Sequence, residues 1–127
     1  MTRKTVLATT LALVAVPGIA LAGGPGQTVE LGSHVKIRNS FPAFHGKVKA
    51  HNAACVEQRR VKVFKQRRNG GKKLLGFDQT DNNGKWLVAV DPLESGAYFA
   101  VAKRREEGTA GTIFVCLRAK SRTVAVD

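Results

Sequence analysis

Hydrophobic and polar residues alternate along most of this chain, and the alternation predicts β-strands. A period of two recurs throughout, whereas the 3.6-residue period of an amphipathic helix is not sustained anywhere after the first 27 residues. Turn residues separate the alternating segments at roughly 8 to 12 residue intervals, which is typical of a β-sandwich. We therefore expect a single all-β sandwich of seven or eight strands. The predicted strands are 34–38, 44–51, 60–65, 74–77, 85–90, 97–102, 112–118 and 123–126.

The strongest turn signal is Thr80–Gly84, in which Asn and Gly tolerate positive φ and favour a tight hairpin. The strand that follows places Trp86, Val88 and Val90 on one face. The same parity in the other strands completes a predicted core. Its members are Val48, Val61, Val63, Trp86, Val88, Val90 and Tyr98.

The N-terminus has the pattern of a secretory signal. Arg3 and Lys4 precede the apolar stretch Val6–Ile19, and Ala20 and Ala22 are small residues at the positions that a signal peptidase reads. A membrane anchor needs about 20 apolar residues, and this run is shorter. The expected organisation is a signal peptide at 1–22 cleaved after Ala22, a flexible leader at 23–33 and the sandwich at 34–127. The mature protein is expected to be extracellular, without a transmembrane segment.

Export changes the interpretation of the two cysteines, Cys55 and Cys116. An oxidising compartment favours a disulfide, and closing the intervening loop would stabilise the fold by about 4 kcal/mol in the loop-entropy model. A reactive thiol pair is the alternative, but the chain has no Cys-x-x-Cys motif. A structural bridge is therefore predicted.

The charge balance is strongly basic, with 21 Lys and Arg, 9 Asp and Glu and a net charge of +12. By strand parity, many cations lie opposite the apolar residues, and if their strands share a sheet its outer face is continuously positive. Such a surface attracts anionic polymers by counterion release. Solubility and protection of sheet edges could also explain the charge. The predicted anion-binding residues are Lys36, Arg38, Lys47, Lys49, Arg60 and Lys62.

Neither metal binding nor catalysis is indicated. His45 and His51 would lie about 20 Å apart along one strand, too far to share an ion. A calcium loop with Gly84 at its sixth position would have Val90 where a bidentate Glu is required. The chain also lacks a G-x-S-x-G nucleophile elbow, and most of its carboxylates fall in predicted turns. No cofactor, metal or enzymatic activity is expected.

Several short motifs together resemble transthyretin-like and carboxypeptidase-regulatory-like domains. The motifs are His45-Gly46-Lys47-Val48, Cys55, Arg60-Val61-Lys62-Val63-Phe64, Thr80-Asp81-x-x-Gly84-Lys85-Trp86-x-Val88 and Ser95-Gly96-x-Tyr98-x-Ala100. The resemblance covers about 45–126 and implies a seven-stranded, immunoglobulin-like sandwich that is usually non-catalytic. Hydroxyisourate hydrolases share that fold but end in Tyr-Arg-Gly-Ser. This chain ends in Thr123–Asp127, so the resemblance does not extend to their activity.

Together these observations predict a secreted, monomeric, non-catalytic module. Its expected partners are anionic extracellular or cell-wall polymers, without sequence-specific nucleic-acid recognition, since aromatic residues for base stacking are scarce. The alternative is an extracellular effector or inhibitor that docks on an acidic protein surface through the same basic face.

Overall fold

The computed structural model describes residues 27–40, 42–109 and 111–127. The predicted signal peptide and its cleavage position after Ala22 lie outside this part of the chain. The described residues form eleven strands and one 3₁₀ turn, Ala53–Cys55. The strands are β1 (Gln27–Leu31), β2 (His34–Ser40), β3 (Ala43–Lys49), β4 (Arg60–Gln66), β5 (Lys72–Gln79), β6 (Lys85–Ala89), β7 (Gly96–Ala102), β8 (Arg105–Thr109), β9 (Thr112–Cys116), β10 (Ala119–Lys120) and β11 (Val124–Val126).

Backbone pairing arranges these strands in three sheets. The front sheet has the order β2-β3-β6, and the back sheet has the order β10-β7-β4-β5 with β11 also paired to β7. The side sheet has the order β1-β9-β8. The predicted all-β sandwich is confirmed, and the described residues contain more strands than the seven or eight expected.

The hydrophobic core lies between the front and back sheets. Because side chains alternate along a strand, one face of each sheet supplies the residues of this layer. A register shift next to Val63 interrupts the alternation between β4 and β5. The rings of Phe44 on the front sheet and Tyr98 on the back sheet meet with their centroids 4.8 Å apart. All predicted core residues are buried: Val48, Val61, Val63, Trp86, Val88, Val90 and Tyr98.

The Asp81–Gly84 turn has the local hydrogen bonds of a hairpin, but it joins two different sheets. The amide of Gly84 donates to the carbonyl of Asp81 (3.0 Å), and the amide of Asp81 donates to the carbonyl of Lys85 (3.0 Å). The preceding strand, β5, then pairs with β4 in the back sheet, whereas β6 pairs with β3 in the front sheet. The turn therefore carries the chain from one layer to the other.

The side sheet includes a segment that the sequence analysis placed in a flexible leader. Residues 27–31 form β1, which pairs in parallel with β9 from Gln27 opposite Thr112 to Leu31 opposite Cys116. The structure therefore differs from the predicted leader (23–33) in its second part. This segment is held in place by β9, which lies more than 80 positions further along the chain. Its own composition therefore does not predict a strand.

A disulfide and a buried arginine connect the side sheet to the sandwich. The predicted Cys55–Cys116 disulfide is confirmed, with a Cα–Cα distance of 5.4 Å. It joins the 3₁₀ turn to the end of β9. Both cysteines are fully buried.

The arginine is Arg59, which is fully buried and directs its guanidinium at backbone carbonyls. Its Nε donates to the carbonyl of Lys103 (3.0 Å), and Nη2 donates to the carbonyl of Leu117 (2.8 Å). Its Nη1 donates to the carbonyl of Cys55 (2.9 Å) and to Ser33 Oγ (2.8 Å). Burial, followed by repulsion from Arg105, lowers the pKa of Arg59. The side chain thus fastens four separate stretches of chain at one point.

Candidate anion-binding groove

The outward face of the front sheet gathers four of the predicted anion-binding residues. On β2 and β3, cations alternate with core residues, so their side chains leave the sheet on the side away from the core. Lys36 and Arg38 lie on β2, and Lys47 and Lys49 lie on β3. Because the two strands are direct neighbours, all four side chains share one surface.

Three lysines lie side by side across the front sheet. The backbone register places Lys36 opposite Lys47, and Lys47 opposite Lys85 on β6. Neighbouring strands are about 4.8 Å apart, so the backbone attachment points of the three ammonium groups span only about 10 Å. We call these residues the lysine row. Like charges directly opposite each other destabilise a sheet, so this arrangement is unfavourable until an anion neutralises it.

Further cations flank the lysine row along the strands. Arg38 lies opposite His45, and Lys49 lies opposite His34. Residues two positions apart in a strand are separated by about 7 Å. The surface therefore presents positive groups in successive rows, a spacing suited to a chain of repeated negative charges.

An open groove with a volume of about 760 Å³ runs over these rows. Its lining includes the side chains of the lysine row, and Leu87 of β6 contributes an apolar patch that is 58% exposed. Asp78 and Asp81 supply carboxylates at the groove from β5 and the following turn. The groove thus combines a cationic surface with an exposed apolar side chain.

Both carboxylates at the groove already accept hydrogen bonds from the backbone. Asp78 accepts from the amides of Gln79 (2.8 Å) and Leu87 (2.9 Å). Asp81 accepts from the amides of Asn83 (2.8 Å) and Lys85 (2.9 Å). The backbone hydrogen bond from Lys85 is the largest cause of the lowered pKa of Asp81. These groups hold the turn and the edge of β6 in place.

The groove cations have no carboxylate partner at ion-pair distance within 27–40, 42–109 and 111–127. The ion pairs formed there are Lys65–Glu94, Arg104–Glu106 and Arg105–Glu107, all outside the groove. Lys36 lowers the pKa of Lys49, first through the contact between the two side chains and then through repulsion of like charges. Asp81 attracts Lys85 and Lys47 at longer range, but no ion pair in the described ranges neutralises the cations of the groove.

Gly46 allows the strands beneath the groove to approach closely. A Cβ at this position would lie 1.7 Å from the carbonyl oxygen of Lys36 and 2.8 Å from Cζ2 of Trp86. Any side chain would push β2 and β3 apart or displace the indole. This glycine is therefore required for the close packing beneath the groove.

Arg60 and Lys62 do not lie on this surface. Both are on β4, which belongs to the back sheet. The strands that were expected to form one continuous positive face are therefore divided between two layers. The predicted placement of these two residues is wrong because alternation gives the direction in which a side chain leaves its strand, but not the sheet to which the strand belongs.

Lys85 also lines the groove, although it is not among the predicted anion-binding residues. The sequence pattern could have predicted it, because Lys85 alternates with the buried Trp86 and Val88 in the same way as Lys36 alternates with its neighbours. Leu87 was not predicted either, because an outward-facing leucine in an alternating strand has no sequence feature that marks it as a binding residue.

Within the described ranges, no three His, Cys, Asp or Glu side chains form a cluster that could hold a metal ion. In the same part of the chain, no helix is sufficiently long and apolar to cross a membrane.

Comparison with known proteins gives no match to a protein-family model, to a curated protein or to a solved structure. The resemblance to transthyretin-like domains therefore remains a prediction from short motifs.

Proposed function

We propose that this protein is a secreted, non-catalytic β-sandwich module that binds linear anionic polymers of the cell wall or extracellular space through the front-sheet groove. The observation that carries the proposal is the lysine row, in which Lys36, Lys47 and Lys85 are in register across three strands. No carboxylate lies within ion-pair distance of these residues in the described part of the chain.

The arrangement favours a polymer over a small anion. Proteins often hold a single phosphate with groups that converge on one point, such as the backbone N–H groups at a helix N-terminus. Here long, mobile side chains are spread over three strands along an open groove. A linear polyanion can neutralise several of them at once and gains affinity from the counterions that it releases.

Secretion and family membership form part of the same proposal. The charged and then apolar N-terminal pattern supports export, and a closed disulfide is suited to an oxidising compartment. A two-layered sandwich with the Thr80–Trp86 turn at a layer crossing supports a transthyretin-like or carboxypeptidase-regulatory-like domain.

The test is binding of the exported protein to immobilised heparin and to purified cell-wall material over a salt series. The groove variant combines Lys36→Gln with Lys47→Gln. The matched control combines Arg67→Gln with Arg68→Gln, which removes two exposed cations from the turn between β4 and β5. We expect log affinity to fall linearly with log salt, with a slope reduced by roughly 2 in the groove variant. Equal losses in both variants would show that only net charge matters and would refute the groove.

An acidic protein partner is the second candidate, and Leu87 is the observation that favours it. A side chain that is 58% exposed among cations could anchor a protein interface, because interface centres are apolar and their rims are polar. In that case Leu87→Ser would abolish capture of one saturable partner. Polymer binding would instead depend little on Leu87 and strongly on salt.

A further inference from the structure

The outer face of the back sheet carries cations held over phenylalanine rings. The guanidinium of Arg60 lies 4.7 Å from the ring centroid of Phe77. The ammonium of Lys72 lies 4.6 Å from the centroid of Phe64, and that of Lys120 lies 4.3 Å from the centroid of Phe99. Cation–π contact of this kind orients a long side chain that would otherwise move freely. We call this surface the back face.

These pairs form one continuous surface across the back sheet. Arg60 and Lys62 alternate with core residues of β4 and therefore point away from the core. The register places Lys62 opposite Phe77 on β5 and opposite Val101 on β7. Phe64 also stacks on Phe99 of β7, with centroids 5.5 Å apart. The back face thus contains three phenylalanine rings, each with a cation over it.

The back face, like the groove, carries cations that form no ion pair in the described ranges. The ion pairs formed in the described ranges do not include Arg60, Lys62, Lys72, Lys103 or Lys120. Lys103 is the largest cause of the lowered pKa of Lys62, with smaller contributions from burial, Arg60 and Lys72. Crowded cations without a partner are stabilised when an anionic ligand binds.

We propose that the back face is a second polyanion site that takes an acidic polysaccharide, so that the protein binds two polysaccharide chains and cross-links them. The cross-linking depends on the proposed function of the groove, but binding at the back face does not. The two surfaces point in opposite directions, because the inner faces of their sheets pack against each other at about 10 Å. Two separate chains can therefore bind together.

The aromatic rings favour a polysaccharide over a nucleic acid. Stacking of successive nucleobases needs several free ring faces, whereas Phe64 has Phe99 and Lys72 against it and Phe99 has Lys120 over it. Phe77 is the one largely exposed ring among the three. A guanidinium held against a ring can still offer a planar pair of N–H groups to a carboxylate or sulfate. The exposed apolar surfaces of Phe77 (56%) and Leu74 (47%) can pack against the C–H faces of sugar rings.

The first experiment measures stoichiometry by calorimetry, with a sulfated heparin tetrasaccharide as the probe. The native protein should bind two tetrasaccharides. The groove variant Lys36→Gln with Lys47→Gln should bind one, and the back-face variant Arg60→Gln with Lys62→Gln should also bind one. Thermal unfolding of each variant establishes that it is folded. If the native protein and the back-face variant each bound one tetrasaccharide, the second site would be overturned. If binding were lost in the back-face variant and unchanged in the groove variant, the groove would be refuted instead.

The second experiment measures cross-linking through the light scattering of long heparin chains. Native protein should produce turbidity near charge equivalence that disappears with excess heparin, and either two-charge variant should lose it. The Arg67→Gln, Arg68→Gln control should retain it. Turbidity in the back-face variant equal to that of the native protein would overturn cross-linking by this face.

A third comparison separates the polysaccharide from nucleic acid and from plain charge. Arg60→Lys keeps the charge but lacks the planar guanidinium, so the affinity of the back site for the tetrasaccharide should fall several-fold. Unchanged affinity would show that the Arg60 guanidinium stacked on Phe77 does not contribute to the back site. A single-stranded DNA oligonucleotide of equal charge should bind the back face more weakly than heparin, and tighter DNA binding that depends on Phe77 would overturn the choice of polysaccharide.

Discussion

The carbonyl oxygen of Val48 lies so near Gly84 that a Cβ on the glycine would approach it to 2.3 Å, while the amide of Val48 donates to the carbonyl of Gly84 at 2.8 Å. Gly84 also has a φ of +81°. The turn between the layers thus rests directly on β3. Gly84→Ala should therefore lower the free energy of unfolding by at least about 2 kcal/mol, from positive φ and steric overlap together.

Urea unfolding measures this loss, and Gly108→Ala is the control. No heavy atom lies within 4 Å of a Cβ built on Gly108. The control should change the unfolding midpoint little. Equal effects of the two substitutions would show that the contact between the turn and β3 does not determine the stability of the fold.

Arg59→Met should destabilise the protein by about 3 kcal/mol, because the carbonyls of Cys55, Lys103 and Leu117 lose their donor. Arg118→Met is an exposed arginine control in the connection between β9 and β10. Hydrogen exchange should show the greatest loss of protection in the side sheet. Uniform loss over all strands, or none, would contradict the role of Arg59 in attaching that sheet.

Removal of the disulfide by Cys55→Ala with Cys116→Ala should cost about 4 kcal/mol, the loop-entropy estimate for the 61-residue separation. Chemical denaturation of the native protein, with and without reductant, should reproduce the difference. Reductant should leave the double variant unchanged. Coincident curves for the oxidised and reduced native protein would refute a stabilising bridge.

The Lys65–Glu94 ion pair should stabilise the folded protein over a limited range of pH. Its ammonium and carboxylate are 2.8 Å apart. Their hydrogen bond is the largest cause of the lowered pKa of Glu94 and of the raised pKa of Lys65. The Glu94 contribution is present above its ordinary pKa of 4.5 and is lost as pH falls through the lowered value. The Lys65 contribution is full below 10.5 and is lost as pH rises through the raised value.

A double-mutant cycle with Glu94→Gln and Lys65→Gln, followed by urea denaturation over pH, measures this range. The coupling between the two residues should be largest near neutral pH and should decline at both extremes. A coupling that is independent of pH would exclude ionisation as its source.

Lys36→Glu should raise the melting temperature by about 1 to 3 °C, since a carboxylate opposite Lys47 replaces repulsion with a cross-strand ion pair. Heparin affinity should fall in the same variant. Lys36→Gln should show a smaller rise, because it removes repulsion without adding attraction. A lower melting temperature for Lys36→Glu would show that the lysine row does not strain the free protein.

Side-chain orientation could be predicted well from the sequence. The alternation of Val35, Lys36 and Ile37 assigns one face to the core whatever the neighbouring strand is, and the structure agrees. The core and the four front-sheet cations follow from this local rule. The disulfide also followed, because only one pairing of two cysteines is possible.

Sheet membership could not be predicted in the same way. Lys47 and Lys62 occupy equivalent positions in similar alternating strands, yet pairing over long separations places them on opposite layers. β1 depends on a parallel partner far along the chain, and β8 contains Arg105-Glu106-Glu107 with no apolar alternation. The cation–π pairs could not be predicted either, because each joins residues of different strands and the order of the strands must be known first.

The hydrogen bonds of Arg59 also predict how the sequence of this protein can vary. Three of its acceptors are main-chain carbonyls, which every amino acid provides, so the side chains at Lys103 and Leu117 are free to change. Arg59 itself has no substitute with the same number and geometry of donors. Homologues should therefore retain this arginine beside variable partners, and covariation between positions would fail to detect the contact that joins the sheets.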